Sequence, residues 1–244
     1  MKKTILVVMP AYNSEETIGR AIESILNQTY RHLKLIVIDD CSADKTVKIA
    51  KSYAKKDSRV SVYSNKKNQG AYYSRNMGLL IGSKERWSYF TTHDADDVSF
   101  EHRYATLIKY LDKNVVGVGD TFTRTRLSDS KEITDITTMA HALFKKEVFD
   151  GIGYFEQVRF GGDWEYWTRL REFNKLNDLT TRNCKTVLGI SYIHENNLTV
   201  QIPERSAARA RYIKNTRKKL AKISGVNDLY ENFEGNVKDV KRIA

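Results

Sequence analysis

The chain has 244 residues, 41% of them hydrophobic and 29% charged, enough apolar material for one substantial core or two small ones and too much for a wholly disordered polypeptide. The longest apolar runs, "TILVVM" and "LKLIVI", fall far short of the roughly twenty residues of a membrane-spanning helix, and "MKKTILVVMP" meets Pro10 and Asn13 before any cleavage pattern, so neither an integral span nor secretion is expected. Lys and Arg exceed Asp and Glu by 41 − 30 = 11, a field that favours an acidic partner: nucleotide phosphate, anionic lipid or nucleic acid. Two cysteines, Cys41 and Cys184, make neither a disulfide framework nor a CxxC zinc site, which fits a reducing cytoplasm.

Residues 4–9, "TILVVM", form a β-branched apolar run of the kind buried on both faces of a sheet. A helix follows in "AYNSEETIGRAIESILNQTY", where Ile18, Ala21, Ile22, Ile25 and Leu26 recur at helical spacing and Asn13 with Glu16 resembles a capping box. "LKLIVIDD" reads as a second strand, "KTVKIAKSYAKK" as a second helix, "VSVYSN" as a third strand, "GAYYSRNMGLLIGS" as a helix opened by Gly70, and "WSYFTTHD" as a fourth strand. Strands alternating with helices in this way predict parallel βαβ units, with ligands at the carboxyl ends of the strands.

The second half is less regular. Residues 101–112 read as helix, "VVGVGDTFTRTR" as strand, "HALFKKEVFDGIG" as a helix closed by glycine, and "DWEYWTRLREF" as an amphipathic helix. Glu204 to Lys222 reads as a strongly basic helix. No repeat or low-complexity linker divides the chain.

Each polar cluster of the first half follows a predicted strand: "PAYN", "DDCSADKT", "NKKNQG" and "HDADD" in turn. In a parallel sheet these clusters meet at one rim. Asp94 and Asp96, two apart, project to the same side of an extended backbone. At roughly 5 Å and an effective dielectric of about 20 they repel by about 3 kcal/mol, so a positive group is expected between them.

The ordered set "PAYN", "DDCSADKT", "NQGAYYSRNMG", "DAD" and "GGDWEYW" resembles the family 2 glycosyltransferases, over roughly residues 4–200. The resemblance implies the GT-A fold, a Rossmann-like, mostly parallel mixed α/β sheet flanked by helices. It also implies an inverting transfer of a sugar from a nucleotide sugar, usually a UDP sugar, with Mn²⁺ or Mg²⁺. A GT-A domain is then expected over 1–200, its nucleotide-binding half at about 1–97 and its acceptor half at about 98–200, followed by a basic helical extension over 201–244.

Carried over by resemblance, Pro10, Ala11, Tyr12 and Asn13 match the first nucleotide loop, Asp40 the acceptor from the uracil ring nitrogen, and Arg75 a residue beside the nucleotide. Asp94 and Asp96 match the DxD pair: Asp96 as metal ligand, Asp94 on ribose or on the ion. Hard carboxylate oxygens suit Mg²⁺ or Mn²⁺ shared with phosphates. Asp97 is expected to cap the following helix. Asp163 matches the catalytic base of the family's "ED" motif, although Gly162 stands where a Glu is usual; a helix N-cap is its plain alternative and Glu165 the fallback base. His194 resembles a histidine that completes the metal or diphosphate shell, while His93 and His141 read as satisfied loop histidines.

The acceptor is less legible. Trp164 and Trp167 offer a stacking wall or core packing. The basic helix reads as a solvated face, as a dock on an anionic membrane bearing a lipid-linked saccharide, or as a nucleic-acid contact. A saccharide or lipid-linked acceptor at a membrane surface leads. The alternatives are a DNA-modifying enzyme acting on a hydroxylated base, flipped from the duplex, and a non-catalytic nucleotide or saccharide binding module. A phosphotransfer receiver domain fails on length and leaves "NQGAYYSRNMG" unexplained. A cytoplasmic place is expected, peripheral at a membrane or in a host cytoplasm if the source is viral; a homo-oligomer stays open.

Overall fold

The computed structural model describes residues 3–159, 161–193, 203–220, 222 and 225–244. In chain order its elements are β1 (Ile5–Ala11), α1 (Ile18–Leu26), β2 (Leu33–Asp39), α2 (Thr46–Ala54), β3 (Val60–Asn65), α3 (Ala71–Gly82), β4 (Tyr89–Thr92), β5 (Asp97–Ser99) and α4 (Arg103–Ile108). The second half adds β6 (Val115–Arg126), β7 (Glu132–Lys145), α5 (Lys146–Ile152), α6 (Gly162–Leu176), β8 (Thr180–Ile193), α7 (Pro203–Leu220) and β9 (Val240–Arg242). One mixed sheet runs in the order β5-β8-β6-β7-β4-β1-β2-β3-β9.

The parallel block β4-β1-β2-β3 is the frame for the site. β1 is buried along its whole length, and its period of two divides the core. Ile5, Val7 and Met9 pack with α1 on one face, whereas Leu6 and Val8 pack with α3 residues on the other. α1 contributes Ile18, Ala21, Ile22 and Ile25, a stripe at helical spacing. α3 lies unusually close to the sheet, because a Cβ at Gly78 or Gly82 would collide with Val8 or Leu6. This approach brings the first turns of α3 to the carboxyl ends of the strands.

Several expectations from the sequence are corrected. Residues 141–145 of "HALFKKEVFDGIG" continue β7, pairing antiparallel with Tyr89 and Phe90 of β4, and the helix starts only at Lys146. A slot beside a central strand outweighs local helical preference there. The glycine stop holds, with Gly153 at φ +70°. Asn13 does not cap α1, whose N-cap is Thr17. Asp97 opens β5 rather than a helix, and α4 starts at Arg103.

The C-terminal part is less of an appendage than expected. α7 is helical, but β9 then joins the sheet antiparallel to β3, and the Val62 N–H donates to the Ala244 carbonyl at 2.8 Å. Leu229 and Val240 are buried in the same core as α3. The tail thus covers an otherwise open sheet edge.

Candidate active site

The first two acidic loops are tied together by their own side chains. Asn13, at φ +45°, donates its N–H to Ser42 Oγ (2.9 Å) and accepts from the Ala43 N–H at Oδ1 (3.0 Å). The Ser14 N–H donates to Thr46 Oγ1, Glu15 N–H to Asp44, and Lys45 N–H to Glu15. Pro10 and Ala11 are still strand, in register with Ile38 and Asp39, and Tyr12 stands 52% exposed beyond them. The first loop thus has a fixed backbone and one free aromatic face.

Asp40 sits beneath the third loop and is buried. Its oxygens accept from Asn65 Nδ2 (2.7 Å), the Gly70 N–H (2.7 Å) and the Gln69 N–H (3.0 Å). These bonds hold Gly70, at φ +92°, where α3 begins. Asp40 is therefore first a builder of the loop. A cavity of about 510 Å³ opens beside that loop, lined by residues including Lys66, Lys67, Gln69 and Glu234.

After β4 the chain turns instead of running on extended, with the Asp97 N–H donating to the Asp94 carbonyl (3.2 Å). The expected alternation of Asp94 and Asp96 is replaced by a turn that folds Asp97 back towards Asp94. A positive group of the protein itself stands at this turn, the Arg75 guanidinium, with the His141 ring beside it. Arg75 Nη2 lies 2.6 Å from Asp94 Oδ1, and His141 Nε2 lies 3.5 Å from Asp94 Oδ2 and 3.2 Å from Asp97 Oδ2. Burial would push the Asp94 carboxyl up, but Arg75 and His141 outweigh it and hold it well below the usual range. Asp97 goes the other way: burial, then the charges of Asp96 and Asp94, push it well up.

His141 is the residue that sequence reasoning missed. The sequence reads it as a satisfied loop histidine; as part of β7 it faces the acidic turn instead. It is almost fully buried, yet among the described residues neither ring nitrogen has an aligned hydrogen bond. Asp94, Asp97 and His141 each offer a ligand atom within 4.8 Å of the others. An orphaned imidazole between two carboxylates, with the half-buried Asp96 in the same turn, is a donor set that suits a divalent ion such as Mn²⁺. His93, by contrast, is satisfied, at 3.0 Å from both Ser99 Oγ and the Asp94 carbonyl, and burial with nearby His141 pushes its pKa well down. His194 lies outside the described residues.

Asp163 is the second residue of α6, whose N-cap is Gly161 at φ +79°, so the N-cap alternative does not hold. Its Oδ1 accepts from the Tyr72 hydroxyl (2.8 Å), and its N–H donates to the same oxygen (3.1 Å). Glu165 is fully buried in an ion pair with Arg169, which also donates to the carbonyls of Ile152 and Tyr154. It is structural and unavailable as a base. Trp167 packs on Phe144 in the core, and Trp164 lies under Arg217 of α7, 5.6 Å from ring to guanidinium.

One face of α3 connects these parts. Tyr72, Arg75 and Asn76 are spaced i, i+3, i+4. Tyr72 holds Asp163; Arg75 lies 4.9 Å from the Tyr72 ring and pairs with Asp94; Asn76 exchanges two hydrogen bonds (2.7 and 2.9 Å) with the backbone of Phe155, in the segment leading to α6. A continuous line of contacts thus runs Asp163–Tyr72–Arg75–Asp94–His141–Asp97.

An open α/β sheet with acidic loops gathered at its carboxyl rim presents a ligand site at that rim. The model of glycosyl transferase family 2 matches residues 6–190, and the chain belongs to that family of sugar-transferring enzymes. An uncharacterized glycosyltransferase of Haemophilus influenzae is 40% identical over 110 residues, 45% of this chain and 33% of that protein. The minor teichoic acid biosynthesis protein GgaB of Bacillus subtilis is 32% identical over 180 residues, 64% of this chain and 20% of GgaB. The chain thus spans a third or less of either relative. Among solved structures, S. aureus TarS residues 1–349 with UDP-GlcNAc superimposes with a TM-score of 0.69 at 16% identity, covering 92% of this chain and 69% of that TarS fragment. The mannosyltransferase PcManGT of Pyrobaculum calidifontis, with GDP-Man and Mn²⁺, gives 0.68 at 16% identity, covering 92% and 66%.

Proposed function

We propose that the chain is a cation-dependent, inverting glycosyltransferase that moves a sugar from a UDP sugar to a hydroxyl of a saccharide or lipid-linked saccharide. The observation that carries this reading is the line of contacts joining Asp163 to Asp94 across one face of α3. The contacts support reading Asp163 as the general base and Asp94 as a carboxylate for a metal-bound diphosphate. The complexes of TarS with UDP-GlcNAc and of PcManGT with GDP-Man support a nucleotide-sugar donor, the former a UDP-linked one, and the name of GgaB, a teichoic acid biosynthesis protein, supports an acceptor in such a polymer. Two of the α7 cations suited to a nucleic-acid backbone already have partners: Arg217 covers Trp164, and Lys219 lies 3.6 Å from Glu156 and 3.7 Å from Glu231. That leaves less of the helix's charge for a nucleic-acid backbone.

In this mechanism Asp163 takes the proton of the acceptor hydroxyl. The acceptor oxygen bonds to the anomeric carbon as its bond to the diphosphate oxygen breaks, and a single displacement inverts the configuration. Arg75, whose Nε has no hydrogen-bond partner among the described residues, faces the charge that grows on the leaving diphosphate. Tyr12 and the Asn13–Ser42 contact border the base. Asp94 and Asp96, the less buried carboxylates of the turn, would hold the cation where phosphate oxygens can complete its shell, with Asp97 and His141 closing the inner side. The bound ion supplies charge neutralisation to the leaving group.

Incubation with Mn²⁺ and a panel of UDP-glucose, UDP-galactose and UDP-N-acetylglucosamine should release UDP slowly from one of them, with water as acceptor. Asp96→Ala should weaken Mn²⁺ binding, read by electron paramagnetic resonance, by more than about tenfold and make UDP affinity insensitive to Mn²⁺. Mn²⁺-dependent UDP binding that survives in this variant removes Asp96 from the ligand set.

A further inference from the structure

Gly162 departs from the family pattern, and the structure supplies a steric reason for it. A Cβ at Gly162 would stand 2.9 Å from Cδ1 and Cε1 of Tyr72, so no side chain fits between α6 and the tyrosine ring without moving one of them. The ring occupies the place where a larger residue would begin. It is buried beside Phe155, with centroids 6.1 Å apart, and Phe155 is itself pinned by Asn76. Its hydroxyl meets the carboxylate and the backbone N–H of one residue, Asp163. A buried phenol so engaged fixes both where Asp163 stands and how its carboxylate is turned.

We propose that Tyr72 is the positioning residue of the catalytic base, its hydroxyl clamping Asp163 through Oδ1 and the N–H. The inference rests on the reading of Asp163 as base. Among the described residues no hydrogen bond reaches Asp163 Oδ2, which leaves that oxygen for the acceptor hydroxyl. Tyr72 also forms one wall of the donor side, since Arg75 lies over its ring. A shift of the ring would disturb base and leaving-group contacts together, whereas loss of the hydroxyl disturbs the base alone. Gly162 is the complement of Tyr72: the bare backbone lets the phenol reach Asp163, and the phenol takes over the support of Asp163 where the motif lacks its Glu.

The test uses UDP release with Mn²⁺, from whichever UDP sugar of the panel the wild type turns over fastest. Tyr72→Phe keeps the ring and its contact with Arg75. It should lower kcat about 10- to 100-fold, the scale of a small misplacement of a reacting group, and leave donor KM and UDP affinity within twofold. In an Asp163→Asn background the same change should cost nothing further. Gly162→Ala, which pushes the ring aside with the hydroxyl intact, should lower kcat as well. Wild-type kcat in Tyr72→Phe, or a loss that persists undiminished in the Asp163→Asn background, overturns the positioning role while leaving the base assignment standing. Full turnover by Asp163→Asn alone instead overturns the base assignment, and this inference with it.

Discussion

Asp163→Asn is expected to cut turnover by about 10²- to 10⁴-fold, roughly 3 to 5 kcal/mol of barrier, with UDP affinity near that of the wild type. Asparagine keeps the shape of the side chain and can still accept from the Tyr72 hydroxyl, and the bond from its backbone N–H is untouched. What it loses is the capacity to take a proton. Glu165, the fallback base, cannot stand in, because it is locked onto Arg169 beneath the helix. Burial pushes Glu165 up while Arg169 opposes it, the signature of a buried structural pair. Steady-state turnover beside calorimetric UDP titration separates the two quantities. Equal losses in both would mean that Asp163 supports the fold of the site rather than the chemistry.

Arg103→Met is expected to destabilise the protein by about 3 to 5 kcal/mol, since it strands a buried carboxylate without its guanidinium. Arg103 and Asp120 are both fully buried, with Arg103 Nε 2.6 Å from Asp120 Oδ2 and Nη2 3.3 Å from Oδ1. Nη2 also donates to the His141 carbonyl, so the pair fastens α4 and β6 to the strand that carries His141. For a chain of this size each kcal/mol corresponds to about 2–4 °C, giving a fall in Tm of about 6–20 °C. Adding Asp120→Leu should recover part of the loss, because an apolar pair of similar volume avoids the desolvation cost. A shift of Tm below 2 °C, on the order of half a kcal/mol, would show that the pair holds little.

The parallel half of the fold was legible because its signals are local. β1 and β2 are unbroken apolar runs, α1 shows one stripe, and the acids stand directly after the strands. The rim at which these loops meet was inferred from order alone, and the Asn13–Ser42 and Asp40–Gly70 bonds are its physical form. The antiparallel half was harder to read. Residues 141–145 carry no clear alternation, and what makes them strand is pairing with β4 and β6, partners distant in sequence. That error hid His141. The edge strand β9 is three residues long and has meaning only beside β3. Tyr72 was within reach, since the spacing of Tyr72, Arg75 and Asn76 places all three on one helix face, but its hydrogen bond to Asp163 spans 91 positions and leaves no periodic trace.

Crystals grown with UDP and MnCl₂, measured at the manganese edge, test most directly whether the acidic rim is a diphosphate site. An anomalous peak is expected at the Asp94–Asp97 turn, with the diphosphate of UDP between that turn and Arg75 and with Asp163 facing it. Manganese or nucleotide bound elsewhere, for instance in the cavity at Lys66 and Lys67, would contradict the assignment of every residue along the line from Asp163 to Asp97.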